Sequence, residues 1–159
     1  MEVLGAWGIV NMAAGGIGYF TAKDDEWRYF HEMNALWGVV NTGIAAMGLA
    51  GTKKEMAAQL TYRQSYERYL SNKKLYLINA GLDVLYIGTG IALDEYGQNT
   101  KNNSALFKGF GESFVVQGVF LLCFDNVMYA SYLRNNSKWY QIMSEIRVTG
   151  KGIGFVHPF

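Results

Sequence analysis

Apolar residues in this chain come in four long blocks rather than at the spacing of a single helix face. Val3 to Ala22 and Met33 to Thr52 run 20 residues each without a charged side chain. Leu75 to Leu93 and Ser113 to Leu133 carry one charge each, Asp83 and Asp125. About 20 consecutive apolar residues let a helix cross a hydrocarbon layer about 30 Å thick. A helix with one wet face would show polar side chains every three or four positions. In the first two blocks only Gly, Ala, Thr, Asn and Trp separate the large aliphatic residues. The pattern predicts an all-α fold: an integral membrane antiparallel four-helix bundle with spans at about 3–22, 26–52, 75–93 and 112–133.

Mean hydropathy, at +0.02, would by itself suit a soluble bundle. The average hides a segregation, because of 14 basic and 13 acidic residues all but two fall outside the blocks. A chain of 159 residues also has too much surface to bury four wholly apolar helices in its own interior. The single cysteine, Cys123, lies inside the fourth block and offers no disulfide framework. No Lys or Arg precedes Lys23, so the first block reads as a retained span rather than a secretory signal.

The connections between blocks give an orientation. Lys53, Lys54, Arg63, Arg68, Lys73 and Lys74 follow the second block, and Arg134, Lys138, Arg147 and Lys151 follow the fourth. The other two connections hold only Lys23, Arg28, Lys101 and Lys108. The positive-inside tendency then puts both termini in the cytoplasm of a cell whose inner membrane holds the protein. Residues 1–134 form the expected membrane domain and 135–159 a peripheral cytoplasmic tail made irregular by Gly150, Gly152 and Gly154. Between spans two and three, residues 54–71 form an amphipathic helix candidate with Tyr62, Tyr66 and Tyr69 on one face. It suits either a helix on the membrane surface or against the bundle, or a plain extension of the two spans. Asp24 or Asp25 is the expected N-cap of the second helix, and Asp94 to Ser104 has turn composition.

Trp7-Gly8-Ile9-Val10-Asn11 recurs as Trp37-Gly38-Val39-Val40-Asn41, and Gly18 and Gly48 follow each copy at the same distance. Two readings are open: an inverted repeat related by an axis in the membrane plane, or residues favoured wherever membrane helices touch.

Polar residues at membrane depth carry the candidate chemistry. Asn11 and Asn41 fall near the middle of their blocks, and Asn79 and Asp83 lie one turn apart in the third. Gln117 and Asp125 share one face of the fourth, two turns apart. Helices crossing in alternate directions are expected to bring these residues to one layer inside the bundle. A carboxylate at the bilayer centre costs about 2.5–3.5 kcal/mol, so Asp83 should face inward with partners, and the amides of Asn11, Asn41 and Asn79 are the donors at hand. That layer suits a proton, ion or small-ligand site, or interhelical bonds that fix register. Asp125, beside Asn126 and nearer the cytoplasmic end, is expected to reach the interface. At the outer end His31, with Asn34 one turn on, and Glu112 are candidates for a hydrogen-bonded pair or a gate.

Several classes find no support. The only other histidine is His157, near the opposite terminus, so neither a metal set nor haem held by paired imidazoles is expected, and no cofactor is implied. Phosphate-loop, nucleophile-elbow and zinc-protease motifs do not occur, and a net charge of +1 without a basic patch gives no reason to invoke nucleic acid. The expected role is non-enzymatic: a structural or accessory subunit that self-associates or docks with other membrane proteins. A small transporter or a ligand- or proton-binding protein using the Asn/Asp layer is the alternative.

Tyr29-Phe30-His31-Glu32-Met33-Asn34, the Trp37 to Asn41 run, Asn79-Ala80-Gly81-Leu82-Asp83 and Gly109 through Asp125 with Gln117-Gly118 form a recognisable set. It resembles small bacterial membrane proteins of uncharacterised families with four predicted spans. The resemblance covers most of residues 3–133 and implies a four-helix fold in a bacterial inner membrane. It implies no catalytic residues.

Overall fold

The computed structural model describes the chain apart from Gln59, Gly150, Lys151 and 156–159, with side chains described up to Arg134 except at Tyr62. His157 therefore lies outside the described residues. Four helices run in sequence: α1 (Glu2–Thr21), α2 (Asp25–Ala57), α3 (Tyr62–Asn99) and α4 (Ser104–Glu145). Each is long and apolar enough to cross a membrane. A short antiparallel hairpin of β1 (Ile146–Thr149) and β2 (Gly152–Phe155) follows α4.

Burial is inverted relative to a soluble protein. Among the described residues the buried apolar side chains are Leu4, Ala45, Tyr69 and Tyr76. The buried polar ones are more numerous: Asn11, Asn34, Asn41, Asp83, Ser113, Gln117 and Asp125. The outer faces present residues such as Phe20 and Met47, 86% and 77% exposed. Apolar surface on this scale is stable in lipid and not in water. The soluble reading of the mean hydropathy fails on this ground.

Local chemistry sets the helix ends. Asp24 caps α2, its Oδ1 accepting from the Trp27 N–H at 2.9 Å, as expected. Thr61 and Gln64 form a capping box at the start of α3. Helix α3 continues through Asp94 to Asn99, so the connection to α4 is shorter than its turn composition implied. The reversal is completed by Asn103 at φ 57°, a left-handed conformation that asparagine tolerates. Residues 54–71 extend α2 and α3, the second of the two readings open for them. Tyr69 is buried and donates its hydroxyl to the Tyr132 carbonyl of α4. At 33, 38 and 42 residues, α2, α3 and α4 reach about 50–63 Å at 1.5 Å per residue. They extend well past a hydrocarbon layer about 30 Å thick. Helix α4 runs unbroken through residue 134, where the tail was expected to start.

Two tight hairpins build the bundle. In α1/α2 a Cβ added to Gly8 would lie 2.8 Å from the Gly38 carbonyl oxygen, and one on Gly38 would lie 2.6 Å from that of Gly8. Backbone touches backbone there, which only glycine permits. The contacts are two-fold related: Gly8 meets Thr42 as Gly38 meets Met12, Gly5 meets Ala45 as Gly15 meets Ala35, and Gly18 meets His31 as Gly48 meets Met1. The repeated segments thus face each other across a pseudo-dyad, and their small residues are the contact. Helices α3/α4 follow the same rule, Gly90 and Gly111 each placing a would-be Cβ 2.6 Å from the other's carbonyl oxygen. The hairpins meet mainly where α2 packs on α4.

Candidate functional site

Small-residue seams bring the polar side chains into two separate groups rather than one layer. Gln117 and Asp125 share a face of α4 but stand eight residues apart, about 12 Å along the axis. That separation is what splits the expected layer.

The first group is centred on Gln117, which is 0% exposed. Its Nε2 donates to Asn11 Oδ1 and to Asn34 Oδ1, both at 2.8 Å. Its Oε1 accepts from the Trp7 indole at 2.9 Å and from Asn41 Nδ2 at 3.3 Å. Ser113, one turn away on α4, donates to Asn34 Oδ1 at 3.1 Å, and Asn11 Nδ2 donates back to the Trp7 carbonyl at 2.8 Å. Both repeated asparagines, Asn11 and Asn41, thus grip one amide from the second hairpin. We call this group the clasp. Trp7, Asn34 and Ser113 were not expected in it; Asn34 had been grouped with His31 at the outer end. A buried amide has four bonding positions to fill, and a tryptophan in the same turn as an asparagine was the available signal.

The second group is centred on Asp83, 2% exposed, and Asp125, 5% exposed. Both carboxyl groups line the same cavity. Two corrections follow. Asp125 does not reach the interface, because α4 continues past it and holds it on the inward face below Gln117. The neighbour of Asp83 is this second carboxyl, not the amides of Asn11 and Asn41, which Gln117 occupies. Asp83 Oδ2 has no hydrogen-bond partner, and neither has the buried indole N–H of Trp37. A cavity of about 200 Å³ between α2, α3 and α4 is lined by Asp83, Asp125, Trp37, Asn41, Asn79 and Tyr76, among others. It adjoins a wider space of about 600 Å³ at the end where the chain starts, with Tyr76 and Phe124 in both walls.

The outer pair is not assembled. His31 packs its ring on Gly18 of α1, where a Cβ would sit 2.3 Å from the imidazole Cγ. Glu112 lines a separate cavity of about 430 Å³ with Trp27, Phe30 and Asp94. Among the described residues no hydrogen bond or ion pair joins His31 to Glu112. The ion pair that does tie this end together is Glu26 of α2 with Lys108 of α4.

Four apolar helices, a polar interior and an apolar exterior define a small four-span membrane protein. The chain belongs to DUF6992, a family of unknown function whose profile matches residues 3–126, all of the clasp and both carboxyls included. No curated protein and no solved structure matches it.

Proposed function

We propose that this is a non-enzymatic membrane protein that holds a small ligand in the Asp83–Asp125 cavity. The observation that carries this reading is that, of three buried polar atoms without a partner among the described residues, two, Asp83 Oδ2 and Trp37 Nε1, belong to residues lining one cavity, while the third, Thr42 Oγ1, lies in the α1/α2 seam beside Gly8. Buried polar groups in native proteins are normally partnered, and those left open mark a place for an absent partner. An intramembrane carboxyl is expensive and is by default a functional candidate. The clasp, by contrast, serves to lock the hairpins together.

A lipophilic carbodiimide, which forms a stable N-acylurea on protonated carboxyls reached through apolar surroundings, tests this reading in nonionic detergent. Labelling at Asp83 or Asp125, blocked by the cavity-filling Leu121→Trp, is the expected outcome. Absence of label at both positions, in protein that is labelled elsewhere, overturns the reading.

The location proposed is a bacterial inner membrane with both termini cytoplasmic. It is supported by the gathering of Lys53, Lys54, Arg63, Arg68, Lys73 and Lys74 at the end where α1 begins and α2 ends. Membrane-impermeant thiol labelling of single cysteines in the two short connections reads the orientation directly. An accessory-subunit role keeps one supporting observation. Gly81 and Gly88 of α3 stand seven residues apart, as Gly90 and Gly97 do in the inner seam, yet have nothing within 4 Å. A purely monomeric species in native mass spectrometry from mild detergent counts against that role.

A further inference from the structure

We infer that the ligand of the Asp83–Asp125 cavity is a small lipophilic ammonium ion that arrives from the bilayer. This rests on the reading of the cavity as a ligand site and adds the ligand's charge, size and route.

Charge follows from the wall. Asp83 and Asp125 both line the space, and apart from Met1 with its α-amino group no lining residue carries a positive charge. A buried carboxylate requires a compensating cation or proton. Apart from the amides of Asn41 and Asn79, the rest of the wall is aromatic and aliphatic: Trp37 and Tyr86 lie ring to ring at 5.3 Å, and Tyr76 and Phe124 at 6.5 Å. Aromatic faces beside an anionic group are the surroundings in which ammonium ions gain both cation–π attraction and charge compensation. A ligand anion would meet no Lys, Arg or His side chain in this wall, only neutral donors such as the Trp37 indole and the Asn79 amide.

Size follows from the volume. About 200 Å³ is below the about 300–1,000 Å³ typical of sites for drug-sized molecules, so the ligand is a compact amine or quaternary ammonium. Route follows from the rim. Val40 and Ile44 of α2 and Leu75 and Leu82 of α3 line the cavity yet are each about half exposed. Such side chains on a membrane helix face lipid, so the gap between α2 and α3 is a lateral entry for an apolar body carrying a charged head.

Carbodiimide labelling supplies a competition assay that separates this inference from the reading beneath it. Benzyltrimethylammonium is the probe and neopentylbenzene, the same shape with carbon in place of nitrogen, is the neutral control. Each is titrated against labelling of Asp83 and Asp125 in the wild-type protein. The cation is expected to protect at a concentration at least tenfold below that of the hydrocarbon. Asp125→Asn is expected to raise the protecting concentration of the cation at Asp83 by about tenfold and leave that of the hydrocarbon unchanged. Equal protection by the two probes, or labelling that the cation does not slow, overturns the ammonium assignment while the cavity stands. Failure of carbodiimide to label the wild type overturns the cavity itself. Should Asp125→Asn not fold, the wild-type comparison of the two probes decides alone.

Discussion

The clasp and the cavity are built from the same kinds of residue in the same bundle, yet they are in opposite states. Around Gln117 four hydrogen bonds link three helices and both ends of the amide are occupied. Around Asp83 and Asp125, one turn-pair further along α4, a carboxyl oxygen and an indole N–H have no partner and a cavity lies beside them. Polar residues in a membrane interior are thus of two sorts, and satisfaction rather than polarity separates them. A saturated network fixes how helices pack; an unsaturated one leaves a position for something else. The same contrast recurs within the pseudo-dyad. Trp7 and Trp37 occupy equivalent places in α1 and α2, but only Trp7 reaches Gln117. A single residue on α4 cannot serve both partners of a two-fold pair in the same way, and the asymmetry leaves the second indole N–H without a partner in a residue that lines the cavity.

Removing the hub should give the largest effect. Gln117→Leu deletes four hydrogen bonds to Trp7, Asn11, Asn34 and Asn41 and strands the groups that made them. Interhelical bonds in membranes average about 0.6 kcal/mol, and stranded buried groups add to that, so a loss of about 2–4 kcal/mol is expected in reversible detergent unfolding. Carbodiimide labelling of the cavity should persist under folding conditions. A loss below about 0.5 kcal/mol would show that the clasp does not hold the hairpins together.

Next in size is the seam that positions the clasp. Gly38→Ala places a methyl group 2.6 Å from both the Gly8 carbonyl oxygen and the Met12 nitrogen, and neither backbone atom can turn aside. Overpacking of this kind costs about 1–3 kcal/mol. Gly43→Ala on the same helix meets nothing within 4 Å. It should be neutral or stabilise by up to about 1 kcal/mol, since alanine is the better helix former. Comparable losses for the two would remove the argument that Gly8 and Gly38 are the point of contact.

How much of this was written in the sequence differs between the two groups. The four spans were legible because charge is excluded from them, and Asp24 or Asp25 was legible as a cap because aspartate is a preferred N-cap residue ahead of the long helical run that follows. The lengths of α2, α3 and α4 were less so: beyond the hydrocarbon layer a helix turns polar and reads as a loop. Thr61 and Gln64 carried the capping-box spacing that marks the true start of α3. In the clasp, Asn11, Asn41 and Gln117 were legible as polar residues at depth, whereas Asn34 was placed with its neighbour His31 because sequence adjacency suggested a shared role. Asp125 was legible as sharing a face with Gln117, but Asn126 beside it and its place nearer the cytoplasmic side hid that α4 continues to Glu145 and keeps it buried. Which polar groups are satisfied depends on inter-helix register, and that information is not local to any one segment.

The carboxyl pair should matter little to stability if the cavity is a site rather than a strut. Asp83→Asn together with Asp125→Asn keeps the shapes and removes the cost of holding two acids in an apolar interior. Replacing buried ionisable groups by neutral isosteres is often neutral or stabilising. The double variant is expected to stay within about 1 kcal/mol of the parent in the same unfolding assay, while carbodiimide labelling of the cavity disappears. A loss as large as that of Gln117→Leu would mean that the two groups do the same job, and the distinction drawn between them would fall.

Smallest and most direct is the comparison across the pseudo-dyad. Trp7→Phe removes the 2.9 Å bond to Gln117 Oε1 but keeps a ring to stack on Phe120, whose centroid lies 4.0 Å from that of Trp7. One membrane hydrogen bond is lost, at about 0.6–1.7 kcal/mol, together with some packing. Trp37→Phe removes an N–H that has no partner and keeps the edge contacts to Tyr86 and Phe114 at 5.3 and 5.4 Å. Deleting an unsatisfied buried donor relieves a desolvation penalty, which offsets the loss of ring area, so Trp37→Phe should cost less than Trp7→Phe. In the double variant the effects should add within about 0.5 kcal/mol, since no bond connects the two indoles. If Trp37→Phe proves the more costly of the two, its N–H already has a partner in the membrane, and the contrast drawn between the two indoles falls.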